Sequence, residues 1–259
     1  MWELTQAAQR TQLQRPIMPS TRNMSPMVQV IKHNHKWGQL LYTSKGVIQI
    51  VTDDGRYILP SGQAVWLPPY IEHQVLCRYG ASFHNLHIDF PYCAPLGESV
   101  YTFNVLPLLR ELILSMCEWA VDYEMTKERQ RLGDVLIDLL KAAPSTGLFM
   151  PSINDKRLLP IIEGISANPC DKKTLEQWGN IVGASSRTLN RLFNQYFGFG
   201  FSKWKQKFKI IKSLDLLSDG YATQEISSTL GYESSSAFIS AFKKHLGFPP
   251  GVYRKNESA

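Results

Sequence analysis

The sequence predicts an α+β chain of two domains, a small β-barrel or sandwich with accompanying helices followed by an all-α double helix-turn-helix. Three observations predict it. The hydrophobic period switches from short, turn-punctuated β runs to helical spacing after Pro95. The net charge of +6 falls entirely in the last part of the chain. The last hundred or so residues carry an internal repeat of 49 residues.

The length of 259 residues allows two modest domains, each able to bury a core. Hydrophobic residues at 44% and charged residues at 19% are ordinary globular values and exclude wholesale disorder. No run of 18 apolar residues exists, so no membrane span is expected. The start, Met1-Trp2-Glu3-Leu4, lacks the basic-then-apolar pattern of a secretory signal. Cys77, Cys93, Cys117 and Cys170 are scattered without a Cys-x-x-Cys pair, which reads as reduced thiols in a cytoplasmic protein.

Residues 1–27 are polar, with Pro16, Pro19 and Pro26, and are expected to be a flexible arm. Residues 28–143 are expected to form the first domain. Val28–Ile31, Gln39–Tyr42, Val47–Thr52, Arg56–Leu59, Ala64–Leu67, Gln74–Leu76 and Phe83–Ile88 are rich in β-branched and aromatic residues. Turn signals separate them, among them Ser44-Lys45-Gly46, Pro60-Ser61-Gly62 and the hairpin turn Asp54-Gly55. Two amphipathic helices follow, over 105–120 and 129–143, which either pack on the β-domain or form a dimer face. Residues 144–156 have linker chemistry, and 157–256 read as helical.

Residues 1–150 hold 13 basic and 13 acidic side chains, whereas 151–259 hold 15 and 9. From Lys172 to Lys212 nine basic residues face one acidic residue, Glu176, the electrostatic footprint of a polyanion binder. The repeat lies on the same segment. Thr174 and Thr223 are placed to cap helices, Gly183 and Gly231 to turn the chain, and Ser185 and Ser234 to cap the helices that follow. Leu189 and Phe238, then Phe193 and Phe242, recur 49 residues apart, as the threonines and serines do, while the glycines are 48 apart. A short helix, a glycine turn and a second helix thus occur twice.

In the first unit Leu189, Leu192, Phe193 and Tyr196 fall on one helix face, and Arg187, Asn190, Arg191 and Asn194 on the other. Arginine bonds guanine bidentately and asparagine bonds adenine, so the polar face suits base edges in a major groove. In the second unit Ser235, Ser236, Ile239, Ser240 and Lys243 face away from Phe238, Ala241, Phe242 and His245. These short side chains suit phosphates and thymine methyls, so the first helix is expected to discriminate bases and the second to set position. Between the units, Trp204, Phe208, Ile211 and Leu214 form the apolar stripe of a lysine-rich linking helix. Such a helix could hold the two readers about one DNA turn, ~34 Å, apart.

These residues resemble the AraC/XylS family of bacterial transcription regulators. The likeness runs over about 155–255, through Gly183-Ala184-Ser185-Ser186-Arg187-Thr188-Leu189-Asn190-Arg191-Leu192-Phe193, Gly198, Leu230-Gly231-Tyr232, Phe238, Phe242, Gly247, Pro250 and Tyr253-Arg254. It implies a seven-helix DNA-binding domain and base-facing candidates Arg187, Asn190, Arg191, Ser235, Ser236 and Ser240. It also implies promoter DNA, a small-molecule effector and RNA polymerase as partners, a homodimer, and no membrane. Gly179 and Ser227 stand where the family usually has alanine.

The first half resembles a cupin-like sensor domain, with His33-Asn34-His35, Gln39 and Gly46 following one cupin motif and Gly62, Pro68 and His73 another. Gln39 stands where cupins place glutamate. Neutral imidazoles suit zinc, iron, nickel or copper, so His33, His35, His73 and Gln39 are candidates either for a divalent transition metal or for the lining of an effector pocket. The leading reading is a ligand-responsive, sequence-specific DNA-binding regulator without enzymatic activity. The alternatives are a cupin-type metalloenzyme with an accessory helical domain and a sequence-blind DNA binder.

Overall fold

The computed structural model describes residues 2–7, 11–78, 80–90, 92–143, 148–151, 153, 155–246 and 249–252. The chain divides into two compact units, Met1–Leu148 and Phe149–Ala259.

The first unit contains strands β1 (Glu3–Thr5), β2 (Ile17–Met24), β3 (Val28–His33), β4 (Gly38–Thr52), β5 (Gly55–Pro60), β6 (Gln63–Leu67), β7 (His73–Cys77), β8 (Ala81–Ile88) and β9 (Tyr101–Asn104). Helices α1 (Pro107–Cys117) and α2 (Lys127–Ala142) follow. One sheet runs β2-β8-β4-β6-β9, and a second runs β1-β3-β7-β4-β5.

Strand β4 belongs to both sheets. Its first half pairs with β6 and β8, its second half with β5 and β7. The expected turn at Ser44-Lys45-Gly46 is therefore a bend within one strand. The β4–β8 register slips between Thr43 and Lys45, and Gly46 has φ +74°. A Cβ on Gly46 would lie 2.2 Å from the Gly80 carbonyl oxygen, so only glycine lets the strands meet there.

The expected flexible arm is a strand over 17–24. Ile17 and Met18 are buried, β2 pairs with β8 along its length, and Tyr123 Oη donates to the Ile17 carbonyl at 2.7 Å. Arg15 Nε donates to the Tyr123 carbonyl at 2.8 Å. Among the described strands β2 pairs with β8 alone, an edge position that tolerates Pro19.

The two helices bury Leu109, Leu112, Ile113 and Met116, then Leu136, Ile137 and Leu140, against a core that includes Ile17, Trp66 and Phe103. Packing on the β-domain is thus what their inner faces do. Leu106 and Leu108, then Leu132 and Val135, remain exposed. Of the expected linker, 144–147, 152 and 154 lie outside the described residues, and Leu148–Pro151 is a tenth strand.

The second unit contains α3 (Leu159–Ala167), α4 (Leu175–Val182), α5 (Ser186–Phe197), α6 (Phe201–Ser218), α7 (Thr223–Thr229) and α8 (Ser235–Leu246). The chain is helical again at 250–252, while Gly247, Tyr253 and Arg254 lie outside the described residues. One core joins Leu158, Ile161, Ile165, Trp178, Leu189, Leu192, Phe193, Trp204 and Phe208. Ile226, Leu230, Phe238, Phe242 and Leu246 are buried in the second helix-turn-helix. The linking helix α6 buries Ile210 and Ser213 as well as Trp204, Phe208 and Leu214, so it is covered on more than the one stripe its sequence suggests. No described helix is long and apolar enough to cross a membrane.

Candidate functional site

The first helix-turn-helix is held by local chemistry. Thr174 accepts from the Gln177 backbone N–H, and Gln177 Oε1 accepts from the Thr174 N–H, a reciprocal cap at the start of α4. Gly183 ends α4 in the left-handed region, at φ +68°. Ser185 then caps α5 by accepting from the Thr188 N–H. Gly179 is required by the same turn, since a Cβ there would meet the Ala184 carbonyl oxygen at 2.3 Å. That contact explains why alanine is missing at this position.

Along α5, Leu189, Leu192 and Phe193 are buried, and Arg187, Asn190, Arg191 and Asn194 are exposed. Among the described residues neither the Arg187 nor the Arg191 guanidinium has a hydrogen-bond or ion-pair partner. Asn190 differs from them. Its Oδ1 accepts from the Phe201 N–H at 3.2 Å, at the first residue of α6, and its carbonyl accepts from Asn194 Nδ2 at 2.7 Å. Gly200 makes room for this contact, because a Cβ there would lie 2.5 Å from Asn190 Oδ1. Half of the Asn190 amide is thereby committed to the fold.

In the second unit the start of α7 departs from expectation. Thr223 is the first helical residue, and the cap comes from Glu225, whose carboxylate accepts from the Ala222 N–H at 2.6 Å. Ser234 caps α8, accepting from the Ala237 N–H at 3.1 Å. Ser236, Ile239, Ser240 and Lys243 are exposed on α8. Ser235 is half-buried with its hydroxyl 3.3 Å from that of Ser227, which also donates to the Gln224 carbonyl. Ser227 therefore ties α7 to α8 in a way alanine could not.

The lysines of α6 split into two kinds. Lys203 is exposed over the Phe199 ring. Lys205 is half-buried, and its Nζ donates to the Asp171 carbonyl, ahead of α4. Lys209 donates to the Gly231 carbonyl in the second turn at 3.4 Å and lies over Tyr232. Burial lowers the pKa of Lys205 and Lys209. Just ahead of that second turn, the Thr229 carbonyl accepts from Cys170 Sγ at 2.8 Å.

The first unit encloses a cavity of about 550 Å³. Strand alternation brings Phe83, Asn85 and His87 of β8 to its wall, with Arg22 of β2, Trp37 and Gln39. Sequence reasoning missed Arg22, Trp37, Asn85 and His87; the period-2 polar run on β8 was the available signal. His33 and His35 line the same cavity. His33 closes β3 directly opposite His73, the first residue of β7, and His35 follows in the β3–β4 turn. The His33 and His73 rings are 4.3 Å apart, and those of His35 and His73 5.2 Å apart.

Each imidazole gives Nδ1–H to a backbone carbonyl: His33 to Ile31 at 2.8 Å, His35 to Trp37 at 2.7 Å, His73 to Ile71 at 2.8 Å. The neutral tautomer is therefore fixed with the lone pair on Nε2 in all three. Burial lowers the His35 pKa and pushes His73 down to about 3. Among the described residues His73 Nε2, which is buried, has no hydrogen-bond partner, which costs ~1–3 kcal/mol for a group of this kind. His35 Nε2 lies 2.9 Å from Gln39 Oε1, and Gln39 Nε2 donates to Asn85 Oδ1 at 2.8 Å. Two acceptors face each other in that arrangement. With both amides turned, Gln39 donates to His35 Nε2 and accepts from Asn85, and every partner is satisfied. One nitrogen from each of His33, His35 and His73 lies within 4.8 Å of those of the other two.

Residues 178–256 match the family model described as a helix-turn-helix domain, and residues 21–87 match the one described as an AraC-like ligand binding domain. The HTH-type transcriptional regulator NimR of Escherichia coli K12 is 32% identical over 221 residues, which are 85% of this chain and 81% of that protein. The HTH-type transcriptional regulator RipA of Corynebacterium glutamicum is 28% identical over 93 residues, 36% of this chain and 28% of that one. The solved structure of ToxT from Vibrio cholerae covers 95% of this chain and 100% of its own, at 11% identity and a TM-score of 0.42.

Proposed function

Since the chain belongs to the AraC family of HTH-type transcription regulators, with a ligand-binding domain ahead of its helix-turn-helix domain, we propose that it reads a specific promoter site mainly through Arg187 and Arg191. The observation that carries this reading is the pair of unpartnered guanidiniums on the exposed face of a well-capped α5. A free guanidinium on a rigid helix can fork onto guanine O6 and N7. Asn190 holds α5 to α6 and keeps only its amide nitrogen for a base. On α8, Ser236, Ser240 and Lys243 offer hydroxyls and an ammonium suited to phosphate, so this helix sets register. Ser235, bonded to Ser227, supports α8 from within.

A small-molecule effector occupies the cavity walled by His33, His35, Gln39, Asn85 and His87, with His73 behind them. Buried polar groups are costly in a β-domain interior, so a cavity lined by them suits a ligand that satisfies them. An effector shifts the DNA-binding state only by binding one state better than the other. Leu106, just ahead of α1, Leu108 on α1, and Leu132 and Val135 on α2 are exposed and serve a second copy of the chain as a homodimer face, and promoter-bound protein acts with RNA polymerase.

The test is selection of duplexes from a randomised pool by the full chain, followed by affinity measurement on the winner and a scrambled control. The reading expects a preference of at least ~10³-fold. Equal affinity for both duplexes overturns it in favour of a sequence-blind binder.

A further inference from the structure

We infer that the effector is an organic monocarboxylate, bound by Arg22 at one end of the cavity and hydrogen-bonded at the other. The inference rests on the reading of the cavity as the effector site and names the chemical class of its occupant.

Arg22 is the one arginine or lysine among the described residues that line the cavity, and no Asp or Glu accompanies it there. The side chain is half-buried, and its guanidinium has no hydrogen-bond or ion-pair partner among the described residues. A cation that gives up part of its hydration without gaining a counter-charge favours an anion beside it.

Strand pairing fixes where that charge sits. Arg22 of β2 lies directly opposite Phe83 of β8. Two residues along β8, Asn85 stands opposite Leu41 of β4, and two further on His87 stands opposite Gln39. At about 3.4 Å per residue, the Arg22 row is about 7 Å from the Asn85 row and about 13 Å from the His87 row. Leu41, Phe83, Val30 and Val75 give the cavity its apolar wall. Trp37 belongs to the far end, stacked on His35 at 5.1 Å and 6.0 Å from the His87 ring. Its indole N–H is buried and has no hydrogen-bond partner among the described residues.

The cavity is therefore graded from a positive charge, past an apolar wall, to a neutral polar end with an unused donor. A guanidinium fork takes a carboxylate through two parallel N–H···O bonds. A single cation balances a single negative charge, which fits a carboxylate better than a phosphate dianion. The wall takes an aromatic or branched aliphatic body, and the Trp37 end takes a hydroxyl or carbonyl oxygen. The volume of about 550 Å³ is that of an ordinary small-molecule site. A cationic ligand would find no carboxylate among the described lining residues, and a neutral one would leave Arg22 without a counter-charge.

The experiment titrates the full chain by calorimetry with 4-hydroxyphenylacetate and 4-hydroxycinnamate, and with the amide of each. At least one acid should bind saturably, one per chain, and at least tenfold tighter than its amide. Arg22→Gln should weaken that acid at least tenfold and leave the amide as it was. The melting temperature should hold, since no side-chain hydrogen bond or ion pair among the described residues depends on Arg22. Arg22→Lys keeps the charge without the fork and should recover part of the affinity. The inference is overturned if the amides bind as tightly as the acids, or if Arg22→Gln leaves the acids unaffected. Equal binding of acids and amides would still leave the cavity an effector site, whereas no saturable binding of either kind would remove both readings.

Discussion

Asn190 Oδ1 accepts the backbone N–H of Phe201 at 3.2 Å, so α5 supplies a cap for α6, the helix that links the two helix-turn-helix units. Asn190→Ala should remove that cap and lower stability by about 1 kcal/mol. Asn190→Asp, which keeps the acceptor, should recover most of it. Chemical denaturation of the full chain measures both. A base-reading role alone would leave the Asn190→Ala midpoint unchanged.

Arg187 and Arg191 have no hydrogen-bond or ion-pair partner among the described residues, so their removal should leave folding intact. On the preferred duplex each Arg→Ala change should cost ~1–3 kcal/mol and relax the preference at one base position. Fluorescence anisotropy on the selected site and on single-base variants reads both effects. An equal loss on specific and random duplexes would show that the two arginines touch phosphate only.

Lys203 and Lys205 are two residues apart yet should behave differently. Lys203 is exposed, and Lys203→Ala should lower affinity on every sequence and reduce the salt slope by about one. Lys205 is tied to the Asp171 carbonyl, so Lys205→Met should lower the melting temperature and leave the salt slope as it was. The salt dependence of binding, measured beside thermal unfolding, separates the two.

Asp155 sets an acid limit on the second unit. Arg157 donates to its carboxylate at 2.7 and 3.0 Å and holds its pKa down at about 2, against an ordinary value of 3.8. The folded state favours the ionised form, so this stabilisation is complete above pH ~4 and disappears as pH falls toward 2. Asp155→Asn should lower stability at neutral pH and flatten the stability profile between pH 4 and 2. Urea midpoints across that range check the prediction.

Much of the second unit was legible because its signals are local. Thr174 with Gln177, Ser185, Gly183 and the Leu189–Leu192–Phe193 face are set by near neighbours, and they occur where spacing puts them. The expected pairing of His33 with His35 and His73 is also realised in space. Other features depend on distant partners. Asn190 reads as a base-facing residue until Phe201 comes to it, and Lys205 reads as a surface charge until the Asp171 carbonyl does. Ile17 and Met18 look like part of a polar, proline-marked arm because β8, which pairs with them, lies about seventy residues on. Thr223 is expected to cap α7, but it is the first residue inside the helix, and Glu225 accepts from the N–H of the Ala222 that precedes it.

The strand Gly38–Thr52 serves as a common spine for both sheets. Neither sheet can unzip alone without stripping the other of its central partner. The sensor half should therefore melt in a single sharp step, and damage at Gly46, where the spine bends, should be felt as loss of the entire half rather than as a local fray.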